Sequence, residues 1–257
     1  MKNYLNFSFL FFVMKYKRYL ILFISILMIF IIPIIIYGYN FNSVAFDGDL
    51  YKREFSKYNV YGKLENYDIE NINDDVLVYL KSGKNDELIR NDFFNEREKL
   101  HLLDVRNLIQ KIFAIYYLSL VLFLLLFILL LLSIDFNFKI IIKKLSTILL
   151  IGSLLTLLNT FIFFILSKLN FDFLFDIFHK NFFSAGTYLF NPTFENIVVL
   201  YPRGLFFDFL INMISNTIFS SVIILFFSLS LFFIFFKIPL RKFFVNFSTI
   251  KQKKRKV

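Results

Sequence analysis

Apolar positions fall into four long runs, 19–37, 112–134, 145–166 and 210–236. Each matches the roughly 17–25 residues that a bilayer's hydrocarbon core demands of one α-helix. The pattern therefore predicts an all-α membrane protein with four transmembrane helices. The first run follows Lys15, Lys17 and Arg18 as a signal peptide would, but it closes on Ile34-Ile35-Ile36-Tyr37 with no small-residue cleavage site. It is read as a retained anchor.

The segments between the runs are read by their local signals. Segment 38–111 is polar enough to be a small extracytoplasmic domain, with a turn expected at Tyr61-Gly62. Asn73-Asp74-Asp75 ahead of Val76-Leu77-Val78-Tyr79-Leu80, ending at Gly83, predicts a short capped helix. About 55 residues bury little core alone, so this piece is expected to rest on the bundle or the membrane. Asn95 with Glu98 three positions later is a capping-box pattern, and no Pro or Gly follows as far as Ile134. One helix is expected from the ectodomain through the second span. In 167–209, Asp172, Asp176 and His179 share one helical face among Phe, Leu and Ile, which predicts an interfacial loop. Asn191-Pro192 reads as a helix cap followed by a first-turn proline. The polar stripes Ser153, Thr156, Thr160 and Asn212, Asn216, Ser220 are expected to join helices by hydrogen bonds.

Charge orients this layout. Segments 1–18, 135–144 and 237–257 hold 15 basic residues against one acid, Asp135, whereas 38–111 and 167–209 hold 14 against 18. Because positive charge is retained in the cytoplasm, both termini are placed there and the two long loops outside. The tail Lys251-Gln252-Lys253-Lys254-Arg255-Lys256 is then a topology determinant touching anionic lipid, and the net charge of +10 needs no nucleic-acid partner. With no cysteine, disulfides, thiolate nucleophiles and Cys-ligated metals are excluded. A transporter is disfavoured because the span interiors carry no charged residue. Nothing in the sequence sets an oligomeric state.

The chain has two histidines, His101 and His179, one before the second span and one after the third. Both fall on the outer side, His101 about 16 Å along its helix from the start of the span. The two spans are joined by a short loop and are expected to be antiparallel neighbours, so the imidazoles can converge. Glu98 and Asp104 flank His101 at one helical turn on either side, and Asp176 precedes His179 by three. Such carboxylates can fix a tautomer and stabilise an imidazolium, although ordinary helix ion pairing accounts for them equally well.

The ordered strings Glu98-x-x-His101-x-x-Asp104-Val105, Phe178-His179-x-x-Phe182-Phe183, Leu189-Phe190-Asn191-Pro192 and Leu205-Phe206-Phe207 resemble the lipoprotein intramolecular transacylase family of bacterial membrane proteins. The resemblance covers the four-span layout and, at motif level, residues 70–200. It departs at Tyr188, Asn191 and Pro202-Arg203, where the family commonly has Trp, Asp and a Pro-Glu pair. It implies an enzyme that moves an acyl chain within a diacylated lipoprotein, from the diacylglyceryl group on the N-terminal Cys to that residue's α-amine, leaving the lyso form. It also implies that His101 and His179 are catalytic. Glu98, Asp104, Asp176 and Asn191 are the expected supporting residues, and Tyr188, Phe190 and Arg106 the expected substrate contacts. Membrane lipid is the other partner, and neither a cofactor nor a metal is implied.

The chemistry suits the residues present. The attacking amine, with an ordinary pKa near 7.7–8.0, must lose a proton, and the departing glyceryl oxygen must gain one. Histidine can do both, although the sequence does not assign which ring does which. Two other readings stay open: a metal-dependent hydrolase using His101, Asp104 and His179, and a membrane scaffold or sensor in which neither histidine reacts.

Overall fold

The computed structural model describes residues 2–82, 87–134, 136–183 and 188–236, with side chains from Tyr16 to Phe235. The expected helix end at Gly83, the acid Asp135 and the basic tail 237–257 lie outside the described residues. Every element among the described residues is helical: α1 (Lys2–Ala45), α2 (Gly48–Lys57), α3 (Val60–Lys63), α4 (Ile69–Lys81), α5 (Glu96–Ser133), α6 (Phe138–Phe182), α7 (Ile197–Leu200) and α8 (Arg203–Phe236). Four are long and apolar enough to cross a membrane: Tyr16–Ala45, Glu96–Ser133, Phe138–Phe182 and Arg203–Phe235. The first and third predicted spans fall inside these helices, the second and fourth end one residue past Ser133 and Phe235, and at the remaining ends the helices run on past the expected boundaries.

The bundle is organised around α1. Ile24, Met28, Ile31, Ile32 and Ile36 of α1 are buried with Leu126 and Leu130 of α5 and Ile148 of α6. A Cβ on Gly38 would stand 2.8 Å from Cβ of Tyr116 on α5, and one on Gly152 would stand 2.9 Å from Cβ of Ile32. These two glycines let α1 approach both neighbours closely. This arrangement corrects one expectation. Helices α5 and α6 do not form a packed antiparallel pair; α5 packs chiefly on α1, whereas α6 packs chiefly along α8 and also on α1. A short connection fixes antiparallel direction but not side-by-side contact.

Hydrogen bonds add to the α1 contacts. Tyr37 and Thr160 hydroxyls lie 2.7 Å apart, and Ser220 donates to Asn40 Oδ1 at 3.3 Å. Thr160 and Ser220 thus act as the helix-joining residues expected of the polar stripes. Ser153 and Thr156 instead bond to their own helix backbone, and Asn216 is exposed.

Helices α2 to α4 form a cap whose core continues into the bundle. Phe55, Val60, Leu64, Ile72 and Val76 are buried together with Leu102 and Ile109 of α5, Leu200 of α7 and Leu205 of α8. Local details differ from the sequence reading. Tyr61-Gly62 lies inside α3, and the turn before it is made by Asn59 in the left-handed conformation (φ 54°). Helix α4 starts at Ile69, capped by the Asp68 carboxylate accepting from Asn71 N–H, four residues before the expected start. Asn73 is buried mid-helix, where its Oδ1 accepts from the Tyr201 hydroxyl at 3.0 Å. A long-range hydrogen bond and the Asp68 cap outweigh the local capping preference of Asn73.

Helix α6 bends at Asn170, whose backbone leaves helical geometry (φ −159°, ψ 81°). Its side chain then accepts from Phe173 N–H at 3.0 Å and caps a second helical stretch that reaches Phe182. This stretch carries His179 back toward the start of α5.

Candidate active site

His101 sits in the second turn of α5, and its placement begins with the helix cap. Asn95 Oδ1 accepts from Glu98 N–H at 2.9 Å, and Glu98 Oε2 accepts from Asn95 N–H at 2.6 Å. The other carboxylate oxygen of Glu98 accepts from Ile197 N–H at 2.7 Å. Both oxygens are therefore engaged with backbone donors, and the carboxylate does not serve the imidazole as its spacing allowed. Asp104 lies half-buried one turn further along.

His101 and His179 meet at this end of the bundle. Their ring centroids are 6.2 Å apart and the planes are within 18° of parallel. The pair is enclosed by aromatic side chains. Phe183 and Phe190 stand 4.7 and 5.3 Å from His101, while Phe175, Phe183 and Tyr188 stand 4.0, 5.1 and 5.7 Å from His179. Two of the expected substrate contacts, Tyr188 and Phe190, thus line the pair. The third, Arg106, does not: it is buried against the Tyr79 ring at 4.7 Å and donates to the Glu87 carbonyl at 3.3 Å, tying α4 and the segment after it to α5.

The surroundings set the state of each ring. His179 Nδ1 lies 2.8 Å from the Phe175 carbonyl, which only accepts, so Nδ1 carries the proton and Nε2 keeps a lone pair. Nδ1 of His101 is buried with no hydrogen-bond partner among the described residues. Leaving a bare lone pair there is less costly than leaving a bare N–H, which assigns the proton to Nε2. Burial, with a smaller contribution from nearby His179, pushes the His101 pKa down to about 4. Burial also lowers that of His179; the Phe175 carbonyl opposes this, Arg203 lowers it further, and Asp176 raises it. Both rings are neutral at pH 7, one presenting a base and the other an N–H.

The walls of the site are held by ion pairs that the sequence reading missed. Arg97 bonds buried Glu195 at 2.7 Å, donates to the Leu189 carbonyl and lies 5.1 Å over the Phe190 ring. Glu195 also accepts from Asn191 N–H at 2.6 Å, so Asn191 supports the site through its backbone. Its side chain accepts from Thr193 N–H in a local turn, and no helix starts at Asn191-Pro192. Asp176 points to Arg203 (3.0 Å), as does Asp172 (3.1 Å), and Arg203 covers the Phe175 ring at 4.8 Å. Among the described residues no three His, Cys, Asp or Glu side chains converge to hold a metal ion, so His101, Asp104 and His179 do not form the set that a hydrolytic metal centre requires.

The fold defines a multi-pass α-helical membrane protein in which two imidazoles meet at one end of the bundle. A family model described as lipoprotein intramolecular transacylase Lit matches residues 7–207, and the chain belongs to that family. It is accordingly an acyltransferase of the membrane. Solved structures of the membrane-integral lipoprotein intramolecular transacylase Lit from Bacillus cereus share the fold. One has a TM-score of 0.70 at 21% identity, covering 83% of this chain and 96% of its own. Variants of the same protein with one histidine replaced by arginine or alanine score 0.69 and 0.68 at 21% and 22% identity, covering 88% and 86% of this chain and 96% of theirs. Comparison with curated protein sequences finds no match.

Proposed function

We propose that this chain transfers an acyl chain from the diacylglyceryl group of a processed lipoprotein to the α-amine of the same N-terminal Cys, at the extracytoplasmic face, with His179 as general base and His101 as proton donor. The observation that carries the reading is the pair of neutral, near-parallel imidazoles 6.2 Å apart, one with its base nitrogen fixed by the Phe175 carbonyl. The amine attacks the ester carbonyl while His179 Nε2 takes its proton, and the resulting oxyanion accepts a hydrogen bond from His101 Nε2–H. Collapse breaks the ester C–O bond, His101 protonates the departing glyceryl oxygen, and a proton passing from His179 to His101 restores both rings. The net reaction gains and loses no proton.

Amine and ester belong to one molecule, so proximity supplies much of the acceleration and no acyl-enzyme is needed. That agrees with a chain that has no cysteine. The outer-face assignment is supported by the excess of Lys and Arg in the opposite loops and tail. Exposed Leu169, Phe173, Phe182, Leu189 and Phe194 surround the site with apolar surface suited to the membrane interface, where the substrate's lipid resides.

Mass spectrometry of the N-terminal lipopeptide of a reporter lipoprotein tests the reading. Co-expression with this chain is expected to leave total mass constant while fragment ions move one acyl chain from glycerol to nitrogen. Loss of one acyl mass would instead indicate a hydrolase.

A further inference from the structure

We propose that Arg203 is a positioning residue for His179, clamping from α8 the aromatic ring and the carbonyl on which the imidazole rests. The proposal rests on His179 being the general base. The guanidinium fork takes one carboxylate with each terminal nitrogen, Asp172 at 3.1 Å and Asp176 at 3.0 Å, and these acids are one turn apart on the stretch after the Asn170 bend. Between them in sequence lies Phe175, over whose ring the guanidinium stacks at 4.8 Å. Phe175 in turn touches His179 twice, through its ring at 4.0 Å and its carbonyl at 2.8 Å. A single residue therefore separates Arg203 from the imidazole. A planar, forked cation is the one side chain that can make all three contacts at once.

Positioning, and not stability, is what this clamp offers. The Asp172 and Asp176 side chains are 72% and 65% exposed, and ion pairs so placed contribute little to folding. The bend at Asn170 breaks the helical backbone, so α6 alone does not fix the direction of the segment bearing His179. Arg203 spans that gap, assisted by Phe171 on Phe207 and Phe175 on Phe206, at 5.1 and 5.6 Å.

The same geometry sets charge. The titratable and charged groups facing His179 are Asp176 on its own helix, Arg203 from α8, His101 from α5 and Tyr188 from the connecting loop. Arg203 disfavours the imidazolium and Asp176 favours it. Removing Arg203 deletes a repulsion and also frees Asp176, so both changes raise the proton affinity of His179. Removing the Asp176 carboxylate acts in the opposite direction.

With only two histidines, ring-¹⁵N-labelled full-length chain in lipid nanodiscs gives two imidazole signal sets, and His101→Ala assigns that of His179. Arg203→Gln is expected to move the His179 titration midpoint up by about half to one pH unit, and Asp176→Asn to move it down. Transacylation by Arg203→Gln should fall about three- to tenfold at pH 8.5, where only the lost fork acts, and a further two- to fivefold at pH 6.5, where the raised midpoint protonates part of the base. Arg203→Lys, which keeps the charge without the fork, should leave the midpoint near the native value and lower kcat about three- to tenfold. If Arg203→Gln fails to fold, Arg203→Lys and Asp176→Asn carry the same test. An unmoved midpoint, or shifts of one sign in both Arg203→Gln and Asp176→Asn, overturns the proposal. Retained transacylation in His179→Ala instead overturns the general-base reading, which separates the two failures.

Discussion

His179→Ala is expected to lower the rate of lyso-lipoprotein formation about 10²–10⁴-fold, the range that a positioned general base contributes. The Phe175 carbonyl leaves Nε2 of this ring as the acceptor, and no other described base stands at the same place facing His101. Truncation removes the group that takes the amine proton but leaves the aromatic enclosure of Phe175, Phe178 and Phe183, so the chain should still insert and keep a near-native melting temperature. His101→Ala is expected to fall in the same range, because the oxyanion and the leaving oxygen then lose their donor. If the rings act as one unit, the double variant should be little worse than either single one. Quantitative mass spectrometry of the reporter lipopeptide over a time course measures all three. Full activity in either single variant removes that histidine from the mechanism.

Glu98→Ala should produce the largest loss of stability. The carboxylate is 1% exposed and accepts from two backbone N–H groups, one at the start of α5 and one at Ile197, 99 residues away. Leaving both donors buried without a partner costs about 1–3 kcal/mol each, and the reciprocal cap is lost as well. A fall of about 3–5 kcal/mol is expected, read as a lower melting temperature in detergent, with activity declining because the Arg97-anchored wall shifts. Glu98→Gln should fall between, since the amide oxygen can serve only one of the two donors and the NH₂ opposes the other. A native melting temperature in Glu98→Ala, with only the rate altered, would return Glu98 to the role of direct imidazole partner.

These two outcomes show what the sequence carried. The four spans were legible because bilayer insertion depends on a one-dimensional property, contiguous apolar length. The Asn95–Glu98 cap was legible because its parts are three residues apart. The same spacing made Glu98 look like a partner for His101, and only the position of Ile197 N–H decides between the two uses. The meeting of the histidines was anticipated on the assumption that α5 and α6 lie side by side, yet α1 lies against both. Gly38 and Gly152, each facing a bulky side chain across a close contact, were the signal for that arrangement. Arg97 with Glu195, and Arg203 with Asp172 and Asp176, are pairs 98, 31 and 27 residues apart, and no local pattern encodes them. The capping propensity of Asn73 gave way to a long-range hydrogen bond from Tyr201, whereas at Tyr61-Gly62 and Asn191-Pro192 a different local turn prevails, made by Asn59 and by the Asn191 side chain.

The most direct test of transfer within one molecule is an isotope crossover experiment. Purified chain is given two diacylated lipopeptides that differ in peptide mass, only one of which bears deuterated acyl chains, in vesicles of unlabelled phospholipid. The account predicts that every N-acyl group carries the label of its own peptide's glycerol and that the rate does not depend on the phospholipid. Deuterated acyl on the unlabelled peptide, or N-acyl groups drawn from the vesicle lipid, would contradict it.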